Sequence, residues 1–247
     1  QVVFMSERSN DSTVTPNKIH LIFKTHLDIS YTNFGKTVTE EYFTTYIPAA
    51  IRLSTELRAA KSKHRYIWTT GSWLINEYLK HSSKSDRQLL EDAIELGDVV
   101  WHGLPFSTHS ELMGPELFRA GLSISQSLDK RFGKNTIAAK MTDVPGHTRG
   151  IVPLLAEAGI KLIHIGVNGH SSAPDVPPVF IWRNTDGTEV IVVYQDGGYG
   201  DLTNLKGHPS ALAFAHTSDN VGPHTSQQLD DIFKALHENY PSVPVQG

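Results

Sequence analysis

The sequence predicts an α/β protein whose mainly parallel sheet is open or barrel-like. Two observations predict this class. Short apolar segments with strand character alternate with longer segments of helical periodicity along most of the 247 residues. A strand–turn–strand pattern with Asp186-Gly187 at its centre interrupts this alternation once and predicts a hairpin. Internal repeats, low-complexity stretches and linkers are absent from the sequence, so we expect one domain.

The predicted strands are short runs rich in aliphatic and aromatic residues that end at polar or turn-forming residues. KIHLIFKTH, Lys18–His26, is typical of a buried strand, and RYIWTT at 65–70 is the second. The other strands are predicted at 99–103, 136–143, 161–166, 179–197 (the hairpin) and 211–220.

Helices are predicted where apolar residues recur three and four positions apart. The segment 114–133 is a long amphipathic helix that Gly133 closes, and Gly97 closes the helix before it. The remaining helices are predicted at 37–57, 72–81, 83–97, 150–160 and 226–241, the last ending at Asn-Tyr-Pro.

The sequence makes a different prediction for each end of the chain. Residues 1–17 are polar and are predicted to form an extended arm, with a single domain over 18–247. The final SVPVQG has the pattern of a starting strand, so we expect the polypeptide to continue beyond it. The N-terminus is compatible with a mature end left by signal removal, and Asn10-Asp11-Ser12 is a glycosylation acceptor sequence; both features suit a secreted or periplasmic protein.

Composition restricts the partners and the metal chemistry. The net charge is -4 and no basic stripe is present, which argues against nucleic acid as a partner. No apolar run approaches the roughly 20 residues that a membrane span needs. There are no cysteines and 13 histidines, so any bound metal must use His, Asp or Glu as ligands.

Polar side chains follow nearly every predicted strand. Because the carboxyl ends of parallel strands form the active face of α/β proteins, such residues converge there. A buried strand end is also a costly place for an unpaired charge. The residues at these positions are His26, Asp28, Thr69, Thr70, His102, His109, Glu111, Asp143, His147, Asn168, His170, His216 and Asp219.

His26 and Asp28 are two positions apart at the end of the first strand. In an extended segment both side chains project to the same side, so an imidazole nitrogen and a carboxylate oxygen can bind one cation. This donor pair suits a divalent metal, and the imidazole favours zinc. The alternative is a histidine satisfied by hydrogen bonds and an aspartate that caps the next turn.

MTDVPGHTRG, 141–150, places Asp143 at a strand end, Pro145-Gly146 in a turn and His147 before a helix. The alternative makes Asp143 a turn former and His147 a helix-start residue. Tyr31 has two interpretations, as a core residue or as an aromatic platform on which a sugar stacks. Asp219 also has two interpretations, as a functional residue at a strand end or as a turn former, because Ser-Asp-Asn is a common turn sequence.

These motifs resemble a known family. K-x-H-x-D-x-x-Y (24–31) and, much later, D-x-x-G-H-T (143–148) with a helix ending in Ala-Gly-Ile-Lys are similar to the catalytic domain of family 38 glycoside hydrolases, the class II α-mannosidases. The resemblance extends to the segment from Trp68 to Trp73 and to VVWHGLPFSTHSE at 99–111. It implies an incomplete, mainly parallel β/α barrel of the glycoside hydrolase and deacetylase type.

The resemblance also implies a zinc site and two catalytic carboxylates. His26, Asp28 and Asp143 would be zinc ligands, with His216 the candidate for the fourth and His147 the next. Asp143 would be the nucleophile and Asp219 the acid/base. The residues assigned to substrate binding are Tyr31, His102, His109, Glu111, Tyr194 and Asp196.

The implied reaction is retaining hydrolysis of an α-glycosidic bond in an oligosaccharide or glycoside. Such enzymes use two carboxyl groups about 5 Å apart, one to attack the anomeric carbon and one to protonate the leaving oxygen. Three alternatives stay open. A metal-dependent polysaccharide deacetylase would usually carry an H-x-x-x-H pair, which this sequence lacks. The others are a non-catalytic carbohydrate-binding domain and an inactive fragment of a larger hydrolase.

Overall fold

The computed structural model describes residues 15–196, 198–200, 202–204 and 208–247. The helices are α1 (Gly35–Glu41), which continues through a π-helical turn (Tyr42–Tyr46) into α2 (Ile47–Ala59), α3 (Ser72–His81), α4 (Lys84–Glu95), α5 (Pro115–Phe132), α6 (Ile151–Glu157) and α7 (Ser226–Asn239). The strands are β1 (Lys18–His26), β2 (Trp68–Gly71), β3 (Val99–His102), β4 (Ala138–Asp143), β5 (Leu162–Val167), β6 (Val179–Arg183), β7 (Glu189–Gln195), β8 (Leu202–Asn204), β9 (Ser210–Asp219) and β10 (Val245–Gln246).

The strands form two sheets in which most pairings are parallel. The first has the order β3-β2-β1-β9-β8, and β10 also pairs with β1. Strands β2, β9 and β10 run parallel to β1, whereas β8 is antiparallel to β9. The second has the order β4-β5-β7-β6, in which only β6 is antiparallel among the described strands. The hairpin of β6 and β7 and the strand in the final residues are therefore confirmed.

The described chain divides into two compact units. One comprises the residues up to Thr69, Leu96–Val99 and the residues from Gly200 onward, and the other comprises Thr70–Glu95 and Val100–Tyr199. The single domain predicted for 18–247 stays a prediction. Most of the predicted arm, residues 1–14 with Asn10-Asp11-Ser12, lies outside the described residues.

In the first unit, side-chain alternation along β1 separates an apolar face from a polar one. Ile19, Leu21 and Phe23 are buried on one face, and Phe23 packs against the Phe233 ring of α7 with centroids 6.1 Å apart. Successive strand residues point to opposite faces, so Lys24 and His26 project from the other side. The apolar run that predicted β1 thus also sets the direction of the histidine that follows it.

In the second unit, the core lies between β4, β5 and β7 and the helices α5 and α6. Fully buried Met141, Ile163 and Val192 come from the three strands, with Leu122 and Leu155 from the helices. The predicted closure of α5 is confirmed, because Gly133 at its C-cap has the left-handed φ of 63° that glycine adopts without strain.

Among the described helices, none combines the length and the apolar character that crossing a bilayer requires.

His224 is a buried histidine without a hydrogen-bonding partner in the described part of the chain. Its side chain packs edge-on against Phe23, and neither ring nitrogen is hydrogen bonded. Burial lowers the pKa of His224 to about 4. The folded protein therefore keeps this imidazole neutral over a pH range in which the unfolded chain protonates it.

We expect His224 to make the fold acid-labile. As the pH falls from about 6.5 towards 4, the unfolded state takes up a proton that the folded state does not, so the free energy of unfolding decreases, by up to about 1.4 kcal/mol per pH unit. Urea unfolding of the protein and of His224→Phe across this range measures the effect, and the variant should show a flatter dependence. The same change at exposed His170 should leave the dependence unaltered, and an equal slope in the His224 variant would refute the assignment.

Candidate metal and active site

A register shift at the ends of β1 and β9 brings His26 beside Asp219. The two strands pair residue for residue from Lys18 with Ser210 to Thr25 with Thr217. The register then shifts, so that His26 pairs with Asp219 rather than with Ser218. A β-bulge of this kind re-aims side chains at the end of a strand. As a result His26 Nε2 lies 3.8 Å from Asp219 Oδ1.

Asp28 completes a cluster of three potential metal ligands. One ligand atom each from His26, Asp28 and Asp219 lies within 4.8 Å of the other two. Zinc bonds of about 2.0–2.1 Å in a tetrahedral site place ligand atoms about 3.3 Å apart, so small side-chain movements would close this cluster on an ion. One imidazole and two carboxylates suit zinc and other borderline or hard divalent cations. The residues therefore fit a metal.

Two tyrosines from the π-helical turn support the strand ends that carry the cluster. The Tyr42 hydroxyl donates to the His26 carbonyl oxygen at 3.1 Å, and the Tyr46 hydroxyl donates to the Asn220 carbonyl oxygen at 2.8 Å. The π-helical turn begins at one tyrosine and ends at the other. Short π-helical segments are frequent at functional sites. We had predicted this segment as one regular helix.

Asn220 connects the end of β9 to the segment that carries Asp28. Its Oδ1 accepts from the Asp28 backbone N–H at 3.0 Å, and its Nδ2 donates to the Asp28 carbonyl oxygen at 2.6 Å and to Thr32 Oγ1 at 2.8 Å. Its own backbone N–H donates to the His26 carbonyl oxygen at 3.0 Å. Asn220 has a φ of 53°, a left-handed conformation that asparagine tolerates better than most residues. One buried side chain thus fixes the segment between two of the candidate ligands.

His216, the candidate for a fourth ligand, also lies near His26. It pairs with Lys24 in the β1–β9 register, and its ring centroid is 6.1 Å from that of His26. Tyr31, five residues after His26 in the sequence, is 74% exposed. Both assigned roles stay predictions.

Asp143, the predicted nucleophile, ends β4 in the second unit with a strained backbone. Its φ of 79° is unusual for a residue other than glycine. Oδ1 accepts hydrogen bonds from Asn168 Nδ2 at 2.9 Å and from the Tyr199 hydroxyl at 3.0 Å. Strain of this kind is held at functional sites when neighbouring groups fix the geometry.

The other predicted site residues of this unit lie at the ends of β3, β4 and β7 or in the segments that follow them. His147 Nδ1 is 3.1 Å from Ser110 Oγ, and burial lowers the pKa of His147 to about 4. Tyr194 is buried, its hydroxyl donates to the Pro145 carbonyl oxygen at 2.7 Å, and burial raises its pKa. The other residues assigned to substrate binding are His102, which is buried, and His109, Glu111 and Asp196, which are exposed.

Sequence reasoning missed the residues that orient the candidate ligands and the candidate nucleophile. Tyr42 and Tyr46 lie in the helix predicted at 37–57, where their spacing indicates an apolar face, and no pattern singles out Tyr199. Asn168 was predicted as a polar residue at a strand end and Asn220 as part of a Ser-Asp-Asn turn, without the hydrogen bonds that they make. The left-handed preference of asparagine after a strand was the one available signal for Asn220.

Comparison with known families matches residues 16–240 to the glycosyl hydrolases family 38 N-terminal domain. No curated protein matches the sequence. Among solved structures, an alpha-mannosidase from Enterococcus faecalis V583 is similar, with a TM-score of 0.72 at 10% identity over 93% of this chain and 28% of that one. A 4-alpha-glucanotransferase from Thermococcus litoralis has a TM-score of 0.59 at 14% identity, over 92% of this chain and 37% of that one.

A glycosyl hydrolase family 38 protein from Enterococcus faecalis has a TM-score of 0.56 at 12% identity, over 95% of this chain and 29% of that one. The chain thus spans between 28% and 37% of the length of these three proteins. At these identities the likeness shows the fold, and it confirms the predicted α/β class of the incomplete β/α-barrel type. Since the family model extends over residues 16–240, the chain belongs to glycosyl hydrolase family 38, whose N-terminal domain it carries.

Proposed function

We propose that this protein is a metal-dependent glycoside hydrolase that cleaves an α-glycosidic bond with retention of configuration. The observation that carries the proposal is the cluster of His26, Asp28 and Asp219 on a family 38 domain. An oligosaccharide or glycoside is the proposed substrate, and the chain is proposed to act as part of a longer polypeptide.

The proposed metal is zinc, held by His26, Asp28 and Asp219 with His216 as the candidate for a fourth ligand. The role of Asp143 as a metal ligand, which the family resemblance implies, stays a prediction. When bound, zinc would supply a Lewis acid that holds ring hydroxyls and favours a distorted sugar ring closer to the transition state. The hydrogen bonds of Asn220 and Tyr42 hold the strand ends in place. They would reduce the conformational entropy that the site loses when the metal binds.

Asp143 is proposed as the nucleophile. Its carboxylate is oriented by two donors, and its backbone is held in a left-handed conformation at the end of β4. A nucleophile in a retaining glycosidase must present one carboxylate oxygen to the anomeric carbon, and orientation of this kind contributes to the rate.

Asp219 has two proposed roles that exclude each other. The family resemblance implies that it is the acid/base, whereas its place in the cluster supports a role as metal ligand. A carboxylate that binds a cation stays ionised and does not carry the proton that the leaving oxygen needs. The two roles therefore predict different consequences when the residue is changed.

The proposed function is tested by turnover of aryl α-glycosides with different sugars. Activity should be lost on removal of metal with EDTA, return with Zn²⁺, and give a product whose first-formed anomer by NMR has the configuration of the substrate. Asp143→Asn should reduce kcat/KM by about 10³-fold or more, because an amide cannot form the glycosyl ester. Asp230→Asn, the same change on an exposed face of α7, should leave it unchanged.

Three results would contradict the proposal. Release of acetate from acetylated sugars without glycoside hydrolysis would favour the deacetylase alternative. Binding of sugars without turnover would favour a carbohydrate-binding domain. Inversion of the anomeric configuration would remove the role assigned to Asp143.

We expect Asp219→Asn to separate the two roles of Asp219. If it is a ligand, the zinc content of the purified variant falls, and all substrates lose activity to a similar degree. If it is the acid, the zinc content is unchanged, and the loss is large for poor leaving groups and small for dinitrophenyl glycosides, which need no protonation. Metal analysis with a series of aryl leaving groups measures both quantities, and a variant with normal metal content and normal rates would contradict both.

We expect the Asn220 side chain to raise the affinity for zinc. Asn220→Gly keeps the left-handed backbone and removes only the hydrogen bonds to Asp28 and Thr32, so the affinity should fall roughly 10- to 100-fold, as for other groups that orient ligands. Competition with a chromophoric chelator measures this. Asn33→Gly is the matched control, since Asn33 is exposed in the same segment and, among the described residues, its side chain accepts a hydrogen bond only from the neighbouring Phe34 N–H. Equal affinities in both variants would contradict the expectation.

A further inference from the structure

Both hydrogen bonds that orient the Asp143 carboxylate go to the same oxygen. The Tyr199 hydroxyl and Asn168 Nδ2 both donate to Oδ1, at 3.0 Å and 2.9 Å. No hydrogen bond within the described residues goes to Oδ2. The backbone N–H of Asn168 also donates to the Asp143 carbonyl oxygen, at 3.2 Å, so Asn168 is tied to Asp143 at two points. The carboxylate therefore has one oxygen fixed and the other available.

A buried chain of hydrogen bonds across the sheet holds the backbone of Tyr199. Lys140, buried on β4, donates from Nζ to the Tyr199 carbonyl oxygen at 2.6 Å. The same ammonium lies 3.0 Å from His164 Nδ1 on β5, and His164 Nε2 lies 3.2 Å from Gln195 Oε1 on β7. With Lys140 Nζ as the donor, Nδ1 accepts, and the tautomer of His164 that fits carries its proton on Nε2 and donates it to Gln195 Oε1. Side chains from three neighbouring strands thus hold the backbone of Tyr199 in place.

Gly166 allows the Tyr199 segment to lie directly on β5. A Cβ at Gly166 would be 2.6 Å from the Tyr199 carbonyl oxygen and 2.9 Å from that of Gly198. Both neighbours are backbone atoms, which cannot swing away as a flexible side chain can. A residue with a side chain at this position would therefore displace the segment and move the phenol away from Asp143.

We propose that Tyr199 is a positioning residue that selects Oδ2 of Asp143 as the attacking oxygen, and that Lys140, His164 and Gln195 hold it in place. The inference rests on the proposed function, in which Asp143 is the nucleophile. Oδ2 forms a bond to the anomeric carbon while the bond from that carbon to the leaving oxygen breaks. The electron pair goes to the leaving oxygen, which takes a proton from the acid, and Asp143 becomes a neutral ester. Water then bonds to the anomeric carbon and gives a proton to the residue that acted as the acid, while the bond from that carbon to Oδ2 breaks and its electron pair restores the carboxylate.

Orientation of Oδ1 matters for this step because the attacking oxygen must lie in line with the breaking bond. A carboxylate rotates freely about its Cβ–Cγ bond unless donors fix it. Two donors on one oxygen restrict that rotation and leave the second oxygen pointing in one direction. Loss of one donor should therefore slow bond formation more than it weakens substrate binding.

The covalent step can be measured directly with 5-fluoro glycosyl fluorides, which form the glycosyl ester and hydrolyse slowly. A panel with gluco, manno and galacto configurations is incubated with the protein, and labelling of Asp143 is followed by mass spectrometry. In Tyr199→Phe, which keeps the ring and removes only the hydroxyl, the labelling rate constant at saturation should fall about 10- to 100-fold. The concentration for half-maximal rate should change by less than about threefold, as expected when only the bond-forming step is affected.

Two further variants make the result specific. Asn168→Asp replaces the donor with a second carboxylate beside Oδ1, and should reduce the labelling rate constant at least as much. Tyr240→Phe, the same change at the partly exposed C-cap of α7, should leave it unchanged. Thermal unfolding and zinc content should be the same in Tyr199→Phe and the unchanged protein, which excludes loss through misfolding or metal loss.

The outcomes separate this inference from the proposed function. If Asp143 is labelled in the unchanged protein and Tyr199→Phe labels at the same rate, the positioning role is refuted while the nucleophile stands. If another carboxylate is labelled, or none with any of the three probes, the assignment of Asp143 fails, and the inference fails with it.

Discussion

The shift of register between β1 and β9 is the constraint on which the candidate metal site depends. Residue-for-residue pairing to the end of β1 would place Ser218 beside His26, but the bulge places Asp219 there. A hydroxyl is a weaker ligand for a divalent cation than a carboxylate. One extra residue in β9 therefore decides whether the strand ends carry a metal-binding donor set. Asn220, directly after the bulge, is hydrogen bonded to the Asp28 backbone and holds the third candidate ligand in the same arrangement.

Backbone strain coincides with the residues to which we assign function. Four non-glycine residues in the described ranges have a positive φ, and three of them are Ser30, Asp143 and Asn220. Ser30 lies in the segment after Asp28, Asp143 is the proposed nucleophile, and Asn220 holds the candidate metal ligands. Each of these conformations costs free energy, so each persists only where its neighbours fix it. The hydrogen bonds of Asn220, and those that Asp143 accepts, are the interactions that do so.

Much of the fold and part of the site could be predicted from the sequence. The apolar run of β1, the Asp-Gly turn of the hairpin and the glycine that closes α5 have local physical causes, so local patterns revealed them. The spacing of His26 and Asp28 predicted two of the three candidate ligands. The bulge that recruits Asp219 and the π-helical turn that carries Tyr42 and Tyr46 depend on how distant segments pair and pack. Tyr199 follows a hairpin in a glycine-rich stretch without periodicity, and its role arises only from contacts with β4 and β5.

The most direct test of the account is the position of a bound zinc ion. Crystals of the protein grown or soaked in ZnCl₂ can be measured above and below the zinc absorption edge, and the difference in anomalous signal locates the ion without reference to activity. We expect one strong peak within coordinating distance, about 2.0–2.2 Å, of His26 Nε2 and of oxygens from Asp28 and Asp219. A zinc peak elsewhere, or none at concentrations that saturate binding in solution, would contradict a metal held by these three residues.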